Sequence, residues 1–337
     1  MTYVLPIFFI AIGFALLIKG ADWLVEGASS IARRLRISDL VIGLTIVSFG
    51  TSAPELVVNI FASLKGNADI AIGNIIGSNI ANVLLILGIA AMIIPIRVQQ
   101  STVFKEIPFC LLASLILFVM ANDRLIDGYT TSEIGRGDGM AFIGFFIIFL
   151  YYTFGIRKGN ADDSKEEHTE ETRSIWLAST MVGGGLIALM AGGEFAVRGA
   201  VQVATLLGVS ESLIGLTIVA VGTSLPELMT SVIAAMKNKP DISIGNIVGS
   251  NIFNIFWILG VSALIRPLPF APAINTDLLV MIGAVLVLFL FIQTGHLQQR
   301  LLFWRMKKGH ILHRWEGVTM LLLYAGYIGM LITREVL

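Results

Sequence analysis

The chain has 337 residues, 56% of them hydrophobic and only 14% charged, with 23 basic side chains against 23 acidic ones. A soluble domain carries roughly 25% charged residues, so this composition and a mean hydropathy of +0.85 make the bilayer the expected solvent, while zero net charge argues against nucleic-acid binding. Cys110 is the single cysteine, which excludes an internal disulfide and a thiolate metal cage.

Ten apolar stretches follow along the chain, at about 4–30, 38–64, 70–94, 104–122, 138–156, 175–202, 210–236, 242–265, 274–294 and 315–333. Each is near or above the roughly 17–25 residues that a spanning helix needs. The first begins without a basic leader or a small-residue cleavage site and reads as a retained helix. Four polar segments punctuate the series: Arg33–Arg36, Asn122–Asp138, Arg157–Arg173 and Arg300–Arg314. Taken alternately, the loops place 16 of the 23 basic residues on one side and five on the other. By the positive-inside rule the first side is cytoplasmic, so the 157–174 linker lies inside and both termini lie outside.

Self-comparison divides the chain. A shift of 172 residues lays Gly43–Gly88 on Gly215–Gly260 without a gap, with roughly 27 of 46 positions identical. The register extends back to Gly20 with Gly192 and Gly27 with Gly199, and forward to Pro95 with Pro267. Residues 1–156 and 175–337 are therefore two five-helix repeats, with core motifs 43–88 and 215–260. Five is odd, so matching helices cross the membrane in opposite senses. The expected fold is an all-α polytopic membrane protein of ten transmembrane helices in two inverted-topology repeats. Transporters so built place ion sites near the midplane, on interrupted helices.

Polar residues match best between the repeats. The second stretch carries Gly50-Thr51-Ser52-Ala53-Pro54-Glu55 and the seventh Gly222-Thr223-Ser224-Leu225-Pro226-Glu227. Proline removes an N–H and clashes with the carbonyl four residues earlier, so a kink is expected at each, freeing backbone oxygen. Irregular backbone at membrane depth survives only where it is buried or lines a cavity. An acidic side chain at mid-span costs roughly 2.5–3.5 kcal/mol on insertion scales, which marks Glu55 and Glu227 as functional candidates. Ser48, Ser52, Glu55 and Asn59 share one helical stripe, as do Ser224, Glu227 and Ser231. The third stretch repeats polarity at Asn74, Ser78 and Asn82, and the eighth at Asn246, Ser250 and Asn254. Beside them, Gly73 with Gly77 and Gly245 with Gly249 form GxxxG pairs that predict close helix approach.

Carboxylates, amides, hydroxyls and freed carbonyls are hard oxygen donors, suited to Ca²⁺, Mg²⁺, Mn²⁺ or Na⁺ over zinc or copper. The four histidines, His168, His296, His310 and His313, fall in loops. Neither a nucleophile–base pair nor an HExxH zinc motif is present, which argues against an intramembrane enzyme. A channel is disfavoured because inverted repeats with kinked helices suit alternating access. Lys19, Asp22 and Glu26 in the first stretch, with Glu194 and Arg198 in the sixth, read as structural ion pairs.

The paired GTSxPEL and GNIxGSNIxN segments closely resemble the α-repeats of the cation/calcium exchanger superfamily, in its compact prokaryotic sodium/calcium exchanger branch. The resemblance covers essentially the whole chain. It implies Na⁺/Ca²⁺ antiport by alternating access, in which inward Na⁺ flow drives Ca²⁺ extrusion across a prokaryotic inner or plasma membrane. It also implies Ca²⁺ ligation by Glu55 and Glu227, with backbone carbonyls around Thr51 and Thr223. Ser52, Ser78, Ser224 and Ser250 would help to form Na⁺ sites. Several members carry aspartate where this chain has Asn82 and Asn254, so the site here has fewer possible negative charges, and Ca²⁺/H⁺ antiport is the alternative. The expected partners are Ca²⁺, Na⁺ or H⁺ as transported ions and the lipid bilayer, with no resident cofactor and no obligatory protein partner.

Overall fold

The structure, a computed structural model, describes residues 4–155, 174–209, 220–302 and 310–336. The linker 157–173 and the first half of the seventh stretch, with Gly215 at the head of the second motif, lie outside the described residues. Among the described residues eleven helices of twelve residues or more carry the chain: α1 (Val4–Leu35), α2 (Asp39–Thr51), α3 (Ala53–Lys65), α4 (Ala68–Ile93), α5 (Thr102–Met120), α6 (Arg136–Gly155), α7 (Ile175–Leu206), α8 (Leu225–Met236), α9 (Pro240–Ile265), α10 (Asn275–Leu302) and α11 (Arg314–Val336). Eight are long and apolar enough to span a membrane, and α2 with α3 makes a ninth, broken span. The seventh stretch is represented by α8 and a short turn before it. The expected ten spans are thus met in nine among the described residues and in part of the tenth.

Local chemistry sets the helix ends. Ser38 caps α2 by accepting the Val41 amide at 3.2 Å, and Ser174 caps α7 by accepting the Leu177 amide at 3.3 Å. Gly66 closes α3 in the left-handed region, with φ +76°, where a Cβ is strained. Most spans present large apolar side chains to the outside, including Phe8, Phe14 and Ile18 on α1 and Leu322 on α11, as lipid-facing helices do. Two helices differ: 78% of the α4 window and 83% of the α9 window is buried, against 22–39% in the other spans. Helices α4 and α9, polar residues included, therefore belong to a core and not to a lipid face.

Packing divides the chain into two compact units, residues 1–51 with 147–246 and residues 52–146 with 247–337. Each unit takes helices from both sequence repeats, so tertiary packing groups the elements differently from the duplication.

In the first unit α1 and α7 pack along their length. Gly13, Gly20 and Gly27 on α1, and Gly185, Gly192 and Gly199 on α7, recur every seven residues, which keeps each set on one stripe. A Cβ on Gly20 would stand 2.8 Å from the Gly185 carbonyl oxygen, and one on Gly192 would stand 2.8 Å from that of Gly13. Only glycine allows the backbones this close. The charges of α1 are tied laterally: Lys19 pairs with Asp22 at 2.9 Å, and Lys237, just after α8, pairs with Asp22 and with Glu26, the latter at 2.8 Å. Glu194 pairs with Arg198 on α7. Lys19–Asp22 and Glu194–Arg198 pair within the set that the sequence singles out, and Lys237 joins Asp22 and Glu26 from outside it.

In the second unit, two short antiparallel ribbons close the helix ends. Strand β1 (Ile96–Val98) pairs with β4 (His310–Leu312), and β2 (Glu133–Ile134) pairs with β3 (Leu268–Pro269). Ile96 and Leu268 are 172 residues apart, so the post-helix segment of each repeat is used in the same way. The acidic loop before α6 is a hydrogen-bonded turn region: Asp123 accepts the Glu133 amide at 2.9 Å and Asp138 accepts the Gly135 amide at 2.8 Å.

Candidate cation site

The proline-containing runs build the same local structure twice. Helix α2 stops at Thr51, Ser52 leaves helical geometry at φ −83°, ψ 10°, and α3 starts again at Ala53. In the second repeat Ser224 stands at φ −88°, ψ 6° and α8 starts at Leu225. The sequence predicts a kink; the structure has a break. The reason is that Pro54 and Pro226 sit in the first turn of the restarted helices, where their missing N–H is not needed. The Gly50 and Gly222 carbonyls lose the donor that a non-proline residue would have offered. Glu55 and Glu227 each occupy the third position of the new helix and are 1% exposed. The positive end of a helix dipole favours a carboxylate in that first turn, which offsets part of its burial cost.

In the first unit, the polar residues around Glu227 form a chain. Thr51 Oγ1 donates to Asn246 Oδ1 at 3.0 Å. Asn246 Nδ2 donates to Ser231 Oγ at 3.0 Å and to the Glu227 carbonyl at 3.4 Å, and Ser231 Oγ donates to the Ser243 carbonyl at 3.4 Å. Asn246, one of the predicted stripe residues, is thereby used in fixing α8 to α9. Thr223 is half-buried, and Ser224 is buried with its Oγ free of hydrogen bonds among the described residues.

In the second unit, α3 packs on the 254–265 part of α9. Ser52 and Glu55 are buried at 0% and 1%, and Asn59 Nδ2 donates to the Glu55 carbonyl at 3.0 Å. Ser78 and Ser250 are buried too. At Asn82 and Asn254 the two repeats form a reciprocal structure. Asn82 Nδ2 donates to Asn251 Oδ1 at 2.9 Å, and Asn254 Nδ2 donates to Asn79 Oδ1 at 2.9 Å. Asn79 and Asn251 donate to one another's backbone carbonyls, both at 3.2 Å. The Oδ1 atoms of Asn82 and Asn254 are buried and accept no hydrogen bond among the described residues. Both asparagines open on π-helical turns, Ala81–Leu87 and Asn254–Leu259, a widening frequent at functional sites.

Asn79 and Asn251 are the residues that stripe reasoning misses. Spacing by four selects 74, 78 and 82 and passes over 79. Their recurrence at the same register in both repeats, within apolar sequence, is the signal that would find them. At Gly245 the GxxxG expectation holds: the glycine approaches α2 closely, a Cβ there standing 3.0 Å from the Leu40 carbonyl oxygen. Gly73 and Gly77 meet nothing within 4 Å among the described residues, and the segment that the 172-residue shift matches to Leu40–Leu44, residues 212–216, lies outside them.

The donor set is oxygen throughout: carboxylate, amide, hydroxyl and released carbonyl. Among the described residues no three His, Cys, Asp or Glu side chains gather as a metal cage, and His310 belongs to β4. Buried amide oxygens with unused lone pairs cost free energy unless an acceptor's partner arrives, and a hard cation is such a partner.

A mainly helical membrane protein with twin broken helices, each opening on a buried glutamate, belongs to the secondary cation transporters. The chain is a member of the sodium/calcium exchanger family, whose model, described as sodium/calcium exchanger protein, matches residues 5–155 and 177–333. It is 34% identical to the sodium/calcium exchanger MaX1 of Methanosarcina acetivorans, over 95% of this chain and 96% of the relative. It is 38% identical to the inner membrane protein YrbG of Escherichia coli, over 76% of this chain and 78% of that one. A solved structure of the sodium-calcium exchanger NCX_Mj matches with a TM-score of 0.80 and 34% identity, over 98% of this chain and 99% of that chain. The fold is thus the inverted-repeat exchanger fold, and the protein is a transporter and not an enzyme.

Proposed function

We infer that this chain is a secondary Na⁺/Ca²⁺ antiporter that works by alternating access and extrudes Ca²⁺ at the expense of the Na⁺ gradient. The observation that carries this reading is the pair of matched helix restarts, each holding a buried glutamate in its first turn. Two carboxylates neutralise one Ca²⁺, and relatives named as sodium/calcium exchangers match the chain nearly end to end.

Glu55 and Glu227 are the proposed Ca²⁺ ligands, joined by the amide oxygens of Asn82 and Asn254 and by carbonyls near Thr51 and Thr223. Ser52, Ser78, Ser224 and Ser250 join the glutamates in holding Na⁺. The two loads share the carboxylates, so binding of one displaces the other. Coupling follows because a site without cations leaves buried carboxylates uncompensated, which is costly, and opposes the return of an unloaded carrier. The protein is placed in a prokaryotic plasma membrane, with the 157–174 linker inside and both termini outside.

The test is ⁴⁵Ca²⁺ uptake into proteoliposomes loaded with Na⁺ or with choline. Uptake that requires the outward Na⁺ gradient is expected. Uptake that ignores Na⁺ and follows an imposed pH gradient would replace this reading with Ca²⁺/H⁺ antiport.

A further inference from the structure

Resting on the proposed cation site, we propose that Asn79 and Asn251 are positioning residues that lock the side-chain amides of Asn82 and Asn254 with oxygen, not nitrogen, turned to the ion. A terminal amide carries acceptor and donor on opposite corners, and rotation by half a turn exchanges them. An asparagine that showed its NH₂ to a cation would repel it. The structure removes that freedom. The NH₂ of Asn82 is engaged by Asn251 Oδ1 and that of Asn254 by Asn79 Oδ1, each at 2.9 Å.

The locks are themselves locked. Asn79 and Asn251 could accept from their partners only with Oδ1 facing them, and each has its own NH₂ tied to the other's backbone carbonyl at 3.2 Å. A flip of either would break two hydrogen bonds and oppose two donors. All four side chains are 1% exposed, so water offers no substitute. The remaining corners, Asn82 Oδ1 and Asn254 Oδ1, are buried acceptors without a hydrogen-bond donor among the described residues. The pairing is crossed: the residue that orients a ligand stands in the opposite repeat. It also explains why neutral asparagine works here. An ionised aspartate at 82 or 254 has no proton to give to Asn251 or Asn79, so the arrangement is built for an amide.

The experiment is a double-mutant cycle read by ⁴⁵Ca²⁺ binding to purified protein. Asn79→Ala and Asn254→Ala should each weaken binding about tenfold, and together they should weaken it no more than the stronger single change, because they remove one function. Asn79→Ala with Asn82→Ala should instead multiply to about a hundredfold. The same contrast, mirrored, is expected for Asn251 with Asn82 against Asn251 with Asn254. Equal, multiplicative effects in all four pairs would overturn the positioning role. Should Asn79→Ala fail to fold, Asn79→Asp keeps an acceptor for Asn254 Nδ2. It should bind Ca²⁺ within about threefold of the native protein, and loss of binding in that folded variant would also overturn it. If Asn82→Ala and Asn254→Ala themselves bind normally, the amides are not ligands, and the failure lies in the site assignment beneath this inference.

Discussion

Glu55 and Glu227 set the strongest residue-scale expectation. Each carboxylate is buried in the first turn of a helix, where glutamine keeps the shape but removes the charge and turns one acceptor oxygen into a donor. Glu55→Gln or Glu227→Gln should leave expression and melting temperature near normal. Ca²⁺ binding should fall at least about 100-fold, the scale of removing one partner from a buried charge pair. Near-normal ⁴⁵Ca²⁺ transport in both variants would remove the proposed site. Lys237 makes a contrasting case. Burial pulls its pKa down, but the carboxylates of Asp22 and Glu26 outweigh that, and the net shift is upward. A raised lysine pKa means that the pairing contributes fully below the ordinary lysine range and fades only as pH climbs through the raised value. Lys237→Met should therefore cost about 1 kcal/mol at neutral pH, as partly exposed ion pairs do. Thermal unfolding in detergent should show that penalty shrinking in strong alkali, with transport ligands untouched.

At the scale of elements, the sequence carries the helices, the place where each proline disturbs the backbone and the glutamates plainly, because those features recur in both repeats as identical residues; that the disturbance is a full break and not a kink shows only in the structure. The crossed amide structure is less visible. Asn79 and Asn251 lie one position off a stripe spaced by four, and the π-helical turns at Ala81–Leu87 and Asn254–Leu259 alter the register that a regular helix would continue. The glycines are a similar case. Heptad spacing places glycine on one helix face, but only packing tells which face meets a neighbour. The α1–α7 stripe does, with a Cβ on Gly192 set 2.8 Å from the Gly13 carbonyl oxygen. Gly192→Leu should destabilise by at least about 2 kcal/mol or abolish folding, the cost of overpacking a tight contact. A native melting temperature in that variant, measured by fluorescence-detected thermal unfolding, would contradict this close packing.

The whole molecule poses the question of sidedness, and the grouping into two packed units was the part least legible in the sequence. Duplication gives the halves 1–156 and 175–337, yet packing gathers 1–51 with 147–246 and 52–146 with 247–337, because burial depends on which helix faces meet and not on which gene segment supplied them. The proposed orientation, in contrast, rests on charge. Sixteen of 23 basic residues fall in alternate loops that include Arg157–Arg173, and such loops are retained in the cytoplasm. The chain supplies a clean background for measuring it, since Cys110 is the lone cysteine and is 2% exposed. Thr130, in the exposed 127–132 loop, and Ser164, in the linker, lie on opposite faces in this arrangement. In intact cells or spheroplasts, a membrane-impermeant maleimide should label Thr130→Cys promptly and leave Ser164→Cys unlabelled until the membrane is opened. The reverse pattern would invert the molecule and with it the assignment of the linker to the cytoplasm. Labelling of both from one side would break the alternation of loops on which an odd number of helices per repeat, and hence the inverted symmetry, depends.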